Sequence, residues 1–241
     1  MFYTMIPLYG IFILFAVSAG LFVAYKNSKS LNLNKEGSIV LFVYILLGIV
    51  YGAKYFSFLS NYQEYDGVFD FWKIGLSSYG AVIGILLMLF IYSRQFKKKF
   101  IDLIYIFSPS IPLMYGIGKL GCFFAGCCYG MKYSGPFSVV YNYSNSAIKG
   151  VELFPVQLLE AIIFILIFIY INNKSKNKKV DKIIVIGQTF VISGVAKFLL
   201  EYFRFNTMSS LLSINQLVSI LFIFMGLIFL FNKNGLKVSK K

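Results

Sequence analysis

Histidine is absent from all 241 residues. That removes the side chain most often used as a general base near neutral pH, and a usual ligand of zinc. Cysteine is scarce: three residues cannot all pair with one another, so the chain is no disulfide scaffold. Charge is thin as well. Only 13% of residues are charged, about half the share found in soluble domains, whereas 59% are hydrophobic and the mean hydropathy is +0.76. Alternating apolar and polar strand patterns are missing, which argues against a membrane barrel, and no nucleotide-type phosphate loop is present. These absences leave an all-α, polytopic membrane protein.

Seven apolar runs are long enough to span a hydrocarbon core as helices. They fall near Ile6–Tyr25, Ser38–Phe58, Ile74–Tyr92, Ile101–Leu120, Val156–Ile171, Ile183–Phe203 and Ser213–Phe231. The first has no basic residues before it and Lys26 and Lys29 after it, the reverse of signal-peptide order, so it is expected to be a retained span. The C-terminal tail and the loops after the first, third and fifth runs hold 16 of the 23 basic residues and three of the nine acidic ones. The positive-inside rule then places the N-terminus outside and the C-terminus in the cytoplasm. Basic residues spread over short loops suit anionic lipid and leave no patch for nucleic acid. Residues 1–241 read as a single domain without repeats, with the segment 122–155 expected to form irregular structure or short strands on the outer surface. The formal sequon Asn142-Tyr-Ser144 within it is taken as chance.

Against this background one stretch stands out. Gly116-Ile-Gly-Lys119-Leu-Gly121-Cys122-Phe-Phe-Ala-Gly126-Cys127-Cys128-Tyr-Gly130 packs a lysine, five glycines and every cysteine into fifteen residues. Ionisable residues also fall in or at the rims of other spans: Lys54, Glu160, Lys197 and Glu201. Lys197 and Glu201 stand four apart on one helix face, and Gln157 and Glu160 three apart after Pro155. Isolated charges in hydrocarbon cost several kcal/mol, so these must face the bundle interior. Two arrangements satisfy that condition: an ion-pair network that fixes helix register, or an anion site in which three lysines outnumber two carboxylates. The cysteines fit three readings. They are small polarizable packing residues, a redox pair, or ligands of a metal that would lack its fourth partner in a chain without histidine. No metal and no cofactor is expected.

In order and spacing, these segments resemble the prolipoprotein diacylglyceryl transferase family of bacterial membrane enzymes. The likeness runs through Leu8-Tyr9-Gly10, Gly52-Ala53-Lys54, Trp72-Lys-Ile-Gly75-Leu76-Ser77-Ser-Tyr79-Gly80, and Ser108-Pro-Ser-Ile-Pro112. It continues through Gly118-Lys119-Leu-Gly121-Cys122-Phe123, Phe154-Pro155-Val-Gln157-Leu158-Leu-Glu160, Lys197-Phe198-Leu-Leu-Glu201-Tyr-Phe203-Arg204 and Gln216. The departures are specific. Tyr79 stands where the family has histidine, Lys119 and Lys197 where it has arginine, Cys122 where it has asparagine and Cys127 where it has glutamate.

The resemblance implies transfer of the diacylglyceryl group of phosphatidylglycerol to the lipobox cysteine of prolipoprotein signal peptides, in the bacterial plasma membrane. It assigns Lys119, Tyr79, Lys197 and Glu201 to catalysis, and Tyr9, Lys54, Gly121, Cys122, Cys127, Gly130, Gln157 and Glu160 to substrate binding. Such a reaction needs a cationic clamp on the departing phosphate and an acceptor for the thiol proton. Two alternatives keep the fold: a transferase using another lipid-phosphate donor or thiol acceptor, and a non-catalytic protein that holds lipid headgroups.

Overall fold

The computed structural model describes residues 5–28, 35–60, 76–142, 144, 147–177, 179–205 and 212–238. The expected Leu59–Lys73 connection and the motif residues Trp72 and Gly75 fall almost wholly outside them. Among the described residues, seven helical stretches are long and apolar enough to cross a membrane, from Leu8–Ser28 to Ile214–Phe231. Large apolar side chains such as Leu14, Phe15, Leu166 and Phe224 stand exposed on them, as lipid-facing residues do. This is a polytopic all-α membrane protein, and the chain resolves into two compact units.

One unit covers Ala24–Phe107. It takes the end of helix α1 (Met5–Ser28), then α2 (Lys35–Ser60), α3 (Ser78–Gln95) and α4 (Phe100–Phe107). Two glycine pairs, each four residues apart, set its geometry. Gly48 and Gly52 of α2 lie against Gly80 and Gly84 of α3, so closely that a Cβ on Gly48 would come 2.7 Å from the Gly84 carbonyl oxygen. Helices in lipid gain little from hydrophobic exclusion, and small residues let their backbones meet instead. Ser77 caps α3 by accepting from the Gly80 N–H, and its own N–H donates to Ala53 O at 3.1 Å. Tyr92 Oη donates to Gly37 O at the other end of the pair.

The second unit comprises residues 1–23 and 108–241. It holds most of α1 together with α5 (Ser110–Ala125), α6 (Val156–Lys176), α7 (Lys182–Leu200), a 3₁₀ turn (Glu201–Phe203) and α8 (Ile214–Val238). The single span that the sequence reads over Ile101–Leu120 is one membrane-crossing stretch, Phe100–Ala125, made of α4 and α5 with a break at Ser108-Pro109, where proline has no N–H for the helical ladder. Helix α5 also runs five residues past Leu120, because nothing stops it before the left-handed Gly126. Gly116 brings α5 against the α6 backbone, 3.1 Å from Ala161 O for an added Cβ. Helix α8 opens with a capping box: Gln216 N–H donates to Ser213 Oγ, and Ser213 N–H donates back to Gln216 Oε1 at 2.9 Å.

Between α5 and α6 the chain forms two short antiparallel strands, β1 (Val139–Val140) and β2 (Glu152–Leu153), with Val139 opposite Leu153. Tyr141, Ala147 and Leu153 make a small core beneath them, joined by Phe123 and Tyr129. The sequon residues serve this fold. Ser144 Oγ donates to Gly126 O, and Asn142 Oδ1 accepts from the Gly150 N–H.

Candidate functional site

The site is built where α5 ends. Gly126 takes a left-handed conformation (φ 66°), which turns the chain back so that the Cys127 N–H meets Cys122 O at 3.1 Å. Cys128 follows at φ 55°, a region that few non-glycine residues enter. The outcome is that the three thiol sulfurs lie within 4.8 Å of one another, each partly exposed. Gln157 Nε2 fixes this turn from α6 by donating to Cys127 O at 2.8 Å. The next residues thread between two others: Gly130 N–H donates to Phe154 O, and Met131 N–H to Phe203 O. Gly130 is required for that approach, since a Cβ there would stand 2.9 Å from Phe203 O. Gly121 plays the same part toward α1, admitting the Tyr9 ring and Phe12.

Five charged side chains then form a continuous buried chain. Lys119 Nζ on α5 lies 2.7 Å from Glu160 Oε2 on α6, and Lys197 Nζ on α7 lies 2.5 Å from Glu160 Oε1. Lys197 also reaches Glu201 Oε2 at 3.1 Å, and Arg204 stands 3.5 Å from the same oxygen. Tyr115 Oη donates to Glu160 Oε1 at 3.1 Å, and both ammonium groups lie over its ring, at 5.1 and 5.8 Å. Asn215, in the first turn of α8, donates to Glu201 Oε1 at 2.6 Å.

The arithmetic of this chain is three cations to two carboxylates. Among these five side chains the cations outnumber the carboxylates by one. Glu160 is fully buried, and Arg204 is the most open member at 22% side-chain exposure. Gln157 is also fully buried, and its Oε1 has no hydrogen-bond partner among the described residues. The thiols lie beside this cluster. Hydrogen bonds with Cys122 and Cys127, reinforced by Lys119 and Arg204, hold the Cys128 thiol well below the ordinary thiol range. Contacts with Cys122 and Cys128 push Cys127 the other way.

Lys119, Glu160, Lys197 and Glu201 therefore meet, with Gln157, Gly121, Gly130, Tyr9, Cys122 and Cys127 around them. Lys54, half-buried on α2, and Tyr79, in the first turn of α3, belong to the Ala24–Phe107 unit. Arg204 joins the ion chain as a third cation beside Lys119 and Lys197. Arg204, Tyr115 and Asn215 went unselected as site residues. The signal for Arg204 was its place three residues after Glu201; Tyr115 and Asn215 carried none.

Comparison with known proteins finds relatives along most of the chain. The sequence model of the prolipoprotein diacylglyceryl transferase family matches residues 2–232. A phosphatidylglycerol–prolipoprotein diacylglyceryl transferase of Clostridium tetani is 27% identical over 230 residues, covering 93% of this chain and 91% of its own. The protein named phosphatidylglycerol–prolipoprotein diacylglyceryl transferase 2 of Clostridium perfringens is 31% identical over 188 residues, 74% of this chain and 70% of its own. A transferase of the same name from Finegoldia magna is 27% identical over 225 residues, with 91% and 88% covered.

Proposed function

Because the chain belongs to the prolipoprotein diacylglyceryl transferase family, we propose that it transfers the diacylglyceryl group of phosphatidylglycerol to the lipobox cysteine of prolipoproteins. The thiol sulfur attacks the glyceryl carbon that bears the phosphate. A C–S bond forms, the C–O bond breaks, and the electron pair leaves on glycerol 1-phosphate. The whole chain acts as one transferase in the bacterial plasma membrane, with its N-terminus outside and its C-terminus in the cytoplasm. The bias of basic residues toward one set of loops supports that orientation.

The observation that carries the reading is the buried Lys119–Glu160–Lys197–Glu201–Arg204 chain with one positive charge in surplus. The single negative charge of the lipid phosphodiester balances it, and the second charge that grows on the leaving oxygen is stabilised most by cations already fixed in place. Lys119 and Lys197 act as point charges, Glu160 holds both in position, and Arg204 offers a planar fork to a phosphate. The unpartnered Oε1 of Gln157 suits a donor such as a headgroup hydroxyl. Lys54 and Tyr79 stay in the assignment by their motif positions alone, Tyr79 as an acceptor for the thiol proton.

The test is turnover by purified variants, normalised to folded protein, with phosphatidylglycerol vesicles and a lipobox peptide. Lys119→Gln is expected to lower turnover by roughly 10²–10³-fold, as loss of one transition-state donor does. Lys119→Arg retains most of it, because the guanidinium keeps the charge and adds bidentate geometry. Undiminished turnover in the glutamine variant would reduce this lysine to a structural ion-pair partner and sink the phosphate clamp.

A further inference from the structure

Three thiols meet at the end of α5 without entering the ion chain, and the reaction proposed above must deprotonate a thiol in a protein with no histidine. We infer that Cys122, Cys127 and Cys128 bind a zinc-type divalent cation as three thiolates, leaving its fourth position for the acceptor thiol of the substrate. The inference rests on the transferase reading for its fourth ligand.

The geometry fits such an ion. Thiolates bound tetrahedrally at about 2.3 Å from zinc lie roughly 3.8 Å apart, and here all three sulfurs are already within 4.8 Å of one another. The backbone is committed to the gathering. The left-handed Gly126 folds Cys127 back over Cys122, and Cys128 holds a positive φ that side chains adopt only where their surroundings impose it. Gln157 locks the turn from α6. A disulfide between the adjacent Cys127 and Cys128 is poorly compatible with disulfide geometry.

Electrostatics agrees. Three thiolates around a dication carry one net negative charge, and a fourth thiolate makes it two. Lys119 stands one helical turn before Cys122 on α5, so the buried ion chain begins next to the thiols and brings positive charge toward them. The sequence alone argued against zinc for want of a fourth protein ligand. A missing fourth ligand is what a catalytic zinc requires, because an open position admits the reacting group.

The chemical step then balances with the metal taking the place of Tyr79 in removing the thiol proton. Coordination strips the proton from the acceptor thiol and releases it to water. The metal-held sulfur attacks the glyceryl carbon as the C–O bond breaks, and the electron pair departs with glycerol phosphate beside Lys119. The thioether product is neutral and a weak ligand, so it leaves and water returns. No atom changes oxidation state, since carbon exchanges an oxygen substituent for sulfur.

Cobalt(II) reports on such a site independently of turnover. Full-length protein, purified in detergent with reductant and stripped by a chelator, is titrated with cobalt(II) chloride. One equivalent is expected to give thiolate-to-cobalt charge-transfer bands and tetrahedral d–d bands. A peptide ending in a lipobox cysteine is expected to shift the d–d bands, whereas its serine analogue leaves them alone. Cys127→Ser and Cys128→Ser should each weaken cobalt binding by more than the ~10–100-fold that loss of an outer-shell partner costs. Absent charge-transfer bands in the reduced wild-type protein, or bands blind to the peptide thiol, overturn the inference whatever the variants do. Full transfer activity in chelator-stripped protein also overturns it, and leaves the transferase reading standing. Cobalt spectra that answer to the peptide thiol in a protein that transfers nothing keep the metal site and refute the transferase reading.

Discussion

Helices α2 and α3 and helices α5, α6 and α7 both come close together in an apolar solvent, by opposite means. The first pair has removed its side chains: Gly48, Gly52, Gly80 and Gly84 let backbone meet backbone, and no charged side chain is required at that contact. The second group keeps large polar side chains and joins them through Glu160, which accepts from Lys197 and the Tyr115 phenol and pairs with Lys119. Steric contact between glycines fixes register and supplies dispersion, and it asks little in desolvation. A buried ion chain is different. Its desolvation cost rivals its Coulombic gain, so as a device for stability it is a poor choice. The contrast fits the proposal that the charges in α5–α7 are kept for chemistry, at a structural risk if one partner is lost.

The comparison breaks most readily at Glu160. Glu160→Gln keeps the shape but leaves Lys119 and Lys197 buried without their shared counterion. Removing one partner of a buried ion pair costs about 3–5 kcal/mol, and a large loss of folded protein is the expected outcome. Unfolding followed by tryptic sensitivity in detergent measures it, and a cost below about 1 kcal/mol would mean that water or lipid headgroups already solvate the cluster. A smaller effect is expected in the glycine pair. In Gly48→Ala the new Cβ meets the Gly84 carbonyl at 2.7 Å. Overpacking of this kind costs about 1–3 kcal/mol. The molecules that do fold should transfer lipid at the wild-type rate, so that stability falls while turnover per folded molecule stands still.

Much of this was legible beforehand, for stated reasons. Span positions follow from apolar run length, which the bilayer dictates, and the helices agree with the runs to within a few residues at most ends. Lys119, Glu160, Lys197 and Glu201 announced themselves as charges in hydrocarbon. Arg204 did not, because a basic residue just past a span end reads as a headgroup anchor. Tyr115 was hidden among 45 other aromatic residues, most of which face lipid or its interface. The break between α4 and α5 depended on whether prolines in an apolar run interrupt the ladder, which run length does not reveal. The gathering of the thiols was out of reach for another reason. It depends on the left-handed turns at Gly126 and Cys128, and hydropathy carries no signal for backbone handedness.

The smallest effect sharpens the comparison from the edge of the site. Gln216, which sits at the family's last-span glutamine, caps its own helix: Ser213 and Gln216 exchange hydrogen bonds across the first turn of α8. One residue earlier, Asn215 donates to Glu201 and so ties that turn to the ion chain. Replacing an N-cap serine by alanine costs about 1 kcal/mol, and by glycine only a few tenths. Ser213→Ala should therefore lower stability by about that amount, with Ser213→Gly between it and wild type. If the cap also holds Asn215 in place, turnover should fall in the same order as stability, alanine below glycine below wild type. Gln216→Ala removes the reciprocal bond and leaves the Ser213 N–H without its partner, so it should resemble Ser213→Ala in both readouts. Equal turnover in all three variants, with stability alone reduced, would show that Asn215 keeps its place on Glu201 without the cap, and that α8 serves the ion chain only as a wall.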